Sequence, residues 1–350
     1  MQSRTPSEAP IEKLRFGDPW KFLPIAFVCV TILILYVIYV FYHCIPLLQI
    51  SAASEHHPNM RWRAIAELVA FHYFTVMLII CYIRSIVVHP GEVPDDSHWC
   101  FPQSGLAPPV DAGSLNLQET KKTGDRRWCK WCGKYKPDRC HHCRLCRICI
   151  LKMDHHCPWI YNCVGFFNYK YFFLLLVYTG LACHLIVFSM MESMLRAIDQ
   201  DAPLNEMFLL LFGESLAAFL AILVTLFLGF HTGLACRAMT TIEFCEKRGK
   251  MPTTKKGHFE SSIYDLGLLG NFKAILGPNL LLWALPCSPP VGDGMHFVSD
   301  ETRLTKDLEA GKGIRRKSHQ RTQRSHRSRR EYTEEEPSAA ASPLSSQRTA

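Results

Sequence analysis

Four stretches without a single Asp, Glu, Lys or Arg constrain this 350-residue chain more than any other feature: Phe22 to Tyr42, Leu68 to Ile83, Tyr171 to Met191 and Ser215 to Cys236. Each is close to the roughly 20 residues that an α-helix needs to cross a hydrocarbon core of about 30 Å. The second extends to Val88 if Arg84 snorkels along its apolar stem. A cleaved signal is the alternative for the first run, but that run starts after 21 residues and exceeds the about 7 to 15 apolar residues of such a segment. The expected fold is an all-α membrane protein with four transmembrane helices and a metal-binding loop between the second and third.

Lys and Arg set the orientation. Of 39, four precede the first run, twelve lie between the second and third, and nineteen follow the fourth, so 35 fall on the side of both termini and the long central loop. The positive-inside rule makes that side cytosolic. The short connections from His43 to Glu67 and from Glu192 to Glu214, with only Arg61, Arg63 and Arg196, are then lumenal. The chain divides into a cytosolic lead over 1–21, two spans over 22–88, and a flexible Pro-, Gly- and Ser-containing linker over 89–124. A Cys-rich domain follows over 125–170, then two further spans over 171–236, a membrane-associated region over 237–285 and a disordered basic tail over 286–350. No internal repeat is visible.

Eight of the sixteen cysteines fall between Cys129 and Cys163, in a loop assigned to the reducing cytosol, where metal binding and catalysis are better readings than disulfides. The order is Cys129-x-x-Cys132, His141-His142-Cys143-x-x-Cys146-x-x-Cys149, Asp154-His155-His156-Cys157-Pro158-Trp159, then Cys163. A Cys-x-x-Cys turn presents two thiolates to a tetrahedral ion, with zinc the expected metal. Six cysteines and two histidines close two Cys3His sites and leave Cys140 and Cys157 without metal. Our assignment places Cys129, Cys132, His142 and Cys149 on one ion, and Cys143, Cys146, His156 and Cys163 on the other; spacing alone does not fix this partition. Cys140 reads as a packing residue.

The spare Cys157 follows Asp154 and His155, and a thiol beside an imidazole held by a carboxylate is an activated nucleophile. His155 is the expected base and Asp154 its orienter. Lys152 and Arg147 would favour a thiolate. Cys157 also lies 14 residues before the third apolar run, in an interval containing Trp159, Phe166, Phe167 and Tyr169 that suits a membrane interface. A 16-carbon acyl group gains on the order of 12 kcal/mol from an apolar site, so an enzyme handling one works well at that boundary.

At these residues, over roughly Trp20 to Gly277, the chain resembles the DHHC protein S-acyltransferases, the palmitoyltransferases. The resemblance rests on Lys136-Pro137-x-Arg139, the cysteine spacing, Asp154-His155-His156-Cys157, Asn162-Cys163-Val164-Gly165, Asn168, Thr240-Thr241-Ile242-Glu243 and Asn271. It implies a long-chain acyl-CoA donor such as palmitoyl-CoA, an acyl-enzyme on Cys157, two structural zinc ions on the sets above, and transfer to membrane-proximal cysteines of other proteins. Lys136, Arg139 and Trp159 are candidate contacts for the acyl-CoA. His89-Pro90-Gly91 departs from the family's usual Asp-Pro-Gly.

A multi-pass protein of the Golgi, endoplasmic reticulum or plasma membrane is expected, with the bilayer as a partner and no nucleic acid. A purely structural zinc adaptor is the alternative reading of the Cys/His cluster; a RING-like ligase would not leave a spare cysteine beside Asp-His, and the spans carry too few charges to line a transport pathway. Thr240, Thr241 and Glu243 are read as ending the fourth helix and contacting the Cys-rich loop. His184 and His231, lone histidines within spans, are read as satisfied inside the bundle.

Overall fold

Four helices among the described residues are long and apolar enough to cross a membrane: Leu23–Ile50, Met60–Val87, Tyr169–Asp199 and Leu204–Cys236. The structure, a computed structural model, describes residues 19–53, 58–101, 117–249, 262–288 and 290–298. Helix α1 (Leu23–Tyr39), opened by Pro24 in its first turn, runs through a π-helical turn (Val40–Cys44) into α2 (Ile45–Ala53). Helix α3 (Pro58–Val87) completes the first pair, and α4 (Tyr169–Asp199) and α5 (Leu204–Cys236) form the second.

These helices outrun the charge-free windows that announce them. The stretch from His43, expected to be a loop, is helical through Ala53, and Arg61, Arg63 and Glu67 belong to α3. The reason is pairing: a charge counts against a span only while it lacks a partner. Arg63 binds Glu67 at 2.8 Å and also binds Glu192 of α4; His43 lies 3.1 Å from Glu67 and 2.8 Å from Ser193. Arg84, exposed near the end of α3, donates to the Pro286 carbonyl and lies over the Tyr171 ring.

Lipid offers little hydrophobic force between helices, so close packing and interhelical hydrogen bonds hold such a bundle. Tyr39 meets Ser189 at 2.7 Å and Tyr36 meets His72 at 3.0 Å. Gly213 lets α5 approach α1, because a Cβ there would stand 2.7 Å from Ile38. Helix α4 is the most buried span, while Phe27, Leu33, Val76, Phe188, Phe219 and Leu226 are exposed on the outside, as lipid-facing residues should be.

Between α3 and α4 the chain forms three antiparallel hairpins: β1 (Trp128–Cys129) with β2 (Lys134–Tyr135), β3 (His141–Cys143) with β4 (Ile148–Ile150), and β5 (His155–Cys157) with β6 (Asn162–Val164). The strands are too short to bury a core by themselves. The segment is fastened to the bundle by Asn162, whose amide donates to the carbonyls of Ser85, Ile86 and Val88 at the end of α3. Asn168 adds a bond to the Cys163 carbonyl at 2.8 Å. Part of the expected linker also packs here: Val93, Trp99 and Leu117 share a cluster with Cys129, Tyr135, Cys140 and Cys149, while residues 102–116 lie outside the described residues.

After α5, helix α6 (Thr241–Gly249) and helix α7 (Leu268–Leu276) return to the bundle. Asn271 donates to the Cys236 carbonyl at 3.1 Å, and Lys170 bonds the carbonyls of Leu276 and Leu282 and the Ser288 hydroxyl. Residues 290–298 form no helix or strand, yet Phe297 packs against Phe166 and Tyr264. The remainder of the expected tail, 299–350, and the lead through residue 18 lie outside the described residues.

Candidate active site

The hairpins bring the expected ligands into two groups, Cys129, Cys132, His142 and Cys149, and Cys143, Cys146, His156 and Cys163, each with all donor atoms within 4.8 Å of one another. Register explains the partition that spacing left open. His142 sits opposite Cys149 across β3–β4, and His156 opposite Cys163 across β5–β6. Each such cross-strand pair is completed by the Cys-x-x-Cys turn of the preceding hairpin. Every ligand of the second group therefore stands 14 positions after its counterpart in the first, an internal repeat where none was expected.

The donor set fits a tetrahedral ion. His142 Nδ1 lies 3.5, 3.3 and 3.9 Å from the sulfurs of Cys129, Cys132 and Cys149, and His156 Nδ1 lies 3.7, 3.5 and 3.6 Å from those of Cys143, Cys146 and Cys163. Tetrahedral zinc, with bonds of about 2.3 Å to sulfur and about 2.0 Å to nitrogen, calls for edges of about 3.5 Å between such atoms. Each group could hold one metal ion. Cys140 belongs to neither; it is fully buried in the cluster beneath the first.

Cys157 also stays outside both groups. It is buried and faces the bundle, packed with Tyr82, Tyr169, Phe172, Phe173, Leu176 and Val224. Its neighbour His155 has Nδ1 2.8 Å from Asp154 Oδ2, while Nε2 is buried with no hydrogen-bond partner. Burial works against the imidazolium, but the Asp154 hydrogen bond, followed by the neighbouring Cys157, outweighs it and raises the ring to about 9. Burial likewise works against the Asp154 carboxylate, and its bonds from His155 and Thr241 win, holding it below its ordinary value.

Helix α6 braces this pair. Thr240 and Glu243 form a capping box, with the Thr240 amide 3.0 Å from Glu243 Oε2 and the Glu243 amide 3.2 Å from Thr240 Oγ1. Glu243 also receives Arg139 through two bonds of 2.6 and 2.9 Å. Arg139 is 3% exposed, with a third bond to the Ala238 carbonyl and with Tyr264 and Phe297 against its guanidinium. Its guanidinium is paired within the fold, an arrangement that favours a structural role for Arg139 over the acyl-CoA contact expected from sequence.

Lys136 is half-buried with no carboxylate partner among the described residues, which keeps it available to an anion. Trp159 is 54% exposed beside Phe27 of α1, and its carbonyl accepts from the Tyr82 hydroxyl at 2.9 Å. Lys152 offers less positive charge than its type suggests, because burial and the nearby Arg139 push its ammonium down to about 7. His89 stands in for the family's aspartate: its Nδ1 accepts from the Gly91 amide at 3.2 Å. Gly91 has φ +102°, and a Cβ there would lie 2.9 Å from Phe167. A cavity of about 470 Å³ next to His89, Arg144, Arg147 and His156 does not include Cys157 in its lining.

Both lone histidines of the spans are bonded inside the bundle, as expected, and one of them also reaches the site. His184 is satisfied within its helix by the Gly180 carbonyl, but His231 stands against Asp154 and His155. The only signal for it was an ionisable side chain in an apolar span.

Four helices long and apolar enough to cross a membrane, flanking a segment in which two Cys3His groups stand beside a thiol, an imidazole and a carboxylate, fit a multi-pass membrane protein. Residues 122–248 match the family model of the DHHC palmitoyltransferases. The chain is 30% identical to palmitoyltransferase ZDHHC2 of Danio rerio over 81% of its own length and 79% of that protein's. It is 34% identical to probable protein S-acyltransferase 14 of Arabidopsis thaliana over 73% of its length and 82% of that protein's. With palmitoyltransferase ZDHHC15 of Mus musculus it shares 30% identity over 79% and 82%. This chain belongs to the DHHC palmitoyltransferase family.

Proposed function

We propose that the chain transfers a long-chain acyl group, palmitoyl above all, from acyl-CoA to cysteines of membrane-associated proteins through an acyl-enzyme on Cys157. The observation that carries this reading is the pairing-off of ligands: the two metal groups take six of the eight cysteines, and of the two left over Cys140 is sealed in a core cluster while Cys157 neighbours an imidazole whose Nδ1 lies 2.8 Å from Asp154. His155 Nε2 takes the Cys157 proton, and the sulfur attacks the thioester carbonyl. The carbon–sulfur bond to CoA breaks, and the CoA sulfur leaves with the proton from His155. A substrate thiol then gives its proton to His155, attacks the new thioester, and regenerates the Cys157 thiol.

Zinc on the two Cys3His groups would supply fixed cross-links between hairpins whose own strands are only two or three residues long. The residues around Cys157 suit the acyl tail: Tyr82, Phe172, Phe173, Leu176 and Val224 form an apolar wall from three spans. Lys136 and Trp159 remain the contacts we assign to the acyl-CoA. The bias of 35 of 39 basic residues supports a cytosolic placement of this site, where acyl-CoA is met; Golgi, endoplasmic reticulum and plasma membrane are the compartments we propose.

Purified protein given labelled palmitoyl-CoA should acquire a hydroxylamine-sensitive label, and Cys157→Ser should not. Equal labelling of Cys157→Ser refutes the assignment of the nucleophile.

A further inference from the structure

His231 comes to the site from α5, 76 positions after His155 and from a different part of the fold. Its side chain is fully buried, and Nδ1 lies 3.3 Å from the Tyr169 hydroxyl. A nitrogen of this ring lies within 4.8 Å of donor atoms on both Asp154 and His155. Nε2 of His231 and Nε2 of His155 are both buried with no hydrogen-bond partner among the described residues. Aromatic rings make the rest of the surround: Phe172, Phe227 and Phe230 have centroids 5.1, 4.6 and 5.4 Å from that of His231, and Phe172 also stands edge-on to His155 at 5.2 Å. The two imidazoles thus share one aromatic box.

Buried polar atoms in folded proteins nearly always have partners, and an exception calls for an explanation. Leucine or phenylalanine would fill this place with no polar atom left over. For His155 the explanation is its task, since Nε2 is the atom that receives the Cys157 proton. The imidazole of His231 stands where that transfer creates charge inside an apolar wall, and a preorganised dipole at such a point favours the charged state without moving. Its ring centroid stands 5.8 Å from that of His155.

We propose that His231 is a positioning residue for the Asp154–His155 pair, a role that rests on the assignment of that pair to Cys157. The proton moves from Cys157 Sγ to His155 Nε2; His231 neither gains nor loses one.

The test uses the full-length, zinc-replete protein with His231→Phe, which keeps a ring, and His231→Gln, which keeps a polar atom. Three quantities are read: the rate of acyl-enzyme formation from labelled palmitoyl-CoA, the acyl-CoA concentration at half-maximal rate, and the rate of Cys157 alkylation by iodoacetamide without donor, followed on the Cys157 peptide by mass spectrometry. A catalytic group displaced by about 1 Å loses on the order of 10²-fold. His231→Phe should therefore slow acylation and alkylation together by roughly 10- to 100-fold, with the half-maximal concentration within about twofold and zinc content unchanged, and His231→Gln should recover to within about fivefold of wild type.

Wild-type rates in His231→Phe would overturn the proposal. So would slowed acylation with normal alkylation, which would make His231 part of the acyl-chain wall, or equal impairment of the Gln and Phe variants, which would reduce it to packing. Should Phe disturb the fold, His231→Leu against His231→Gln gives the same comparison. Cys157→Ser is run in parallel: label persisting there sinks the underlying nucleophile assignment, whereas no label there together with an unimpaired His231→Phe sinks this inference alone.

Discussion

Thr241 holds Asp154 by both carboxylate oxygens, its amide 3.0 Å from Oδ1 and its hydroxyl 2.7 Å from Oδ2. Thr241 is the first residue of α6, so its amide is one of the donors that a helix leaves without an internal partner. Asp154 caps this helix from outside, and the helix in turn fixes the carboxylate that orients His155. The segment that follows the fourth span and the Cys-rich segment are joined at the Asp154–His155 pair itself.

Replacing Thr241 with Val removes the hydroxyl bond and keeps the amide. A hydrogen bond to a charged group is worth about 1.5–3 kcal/mol, so acyl-enzyme formation should fall by roughly 10- to 100-fold. Single-turnover labelling with palmitoyl-CoA reads this, and zinc content should match wild type. A Thr241→Val protein that acylates at the wild-type rate would show that Asp154 needs no such hold.

Arg139 should behave as a structural residue. Arg139→Ala leaves Glu243 without its ion pair in a largely buried setting, a change that costs about 3 kcal/mol or more. We expect a lower thermal midpoint and, in protein that remains folded, an unchanged half-maximal acyl-CoA concentration. A raised half-maximal concentration with an unaltered midpoint would reverse this placement.

Metal content should follow the hairpin register. Elemental analysis of the wild type should give about two zinc ions per chain, with one lost in Cys149→Ala and one lost in Cys163→Ala, because each variant removes a ligand from a different Cys3His group. Loss of both ions from either single variant, with the chain still folded, would contradict two separate groups.

His89 should be replaceable by the residue it imitates. His89→Asp keeps an acceptor for the Gly91 amide and should hold the wild-type thermal midpoint, whereas His89→Ala removes it and should cost about 1 kcal/mol. Equal midpoints for the two variants would show that the 3.2 Å contact contributes nothing.

Much of this arrangement was legible in the sequence, and the parts that were not share a cause. Runs without charge announced the four spans, since apolar length is a local property. The true helix ends were hidden because His43, Arg63, Glu67 and Glu192 lower each other's cost only once α1, α3 and α4 are side by side. The ligand types could be counted along the chain, while their partition depended on which residues face each other across β3–β4 and β5–β6. Arg139 looked like a surface cation because the sequence does not show Glu243 folding back onto it from 104 positions away. His231 looked isolated for the same reason.

The 14-residue offset between the two metal groups has a consequence for the nucleophile. Moved forward by the same step, Cys143 lands on Cys157 and Cys146 lands on Ile160. Cys157 thus occupies the opening position of a third step, where a buried aliphatic side chain stands at the place of the second sulfur. A scaffold that sets sulfurs at a fixed step then sets Cys157 at the next step, outside both four-ligand groups.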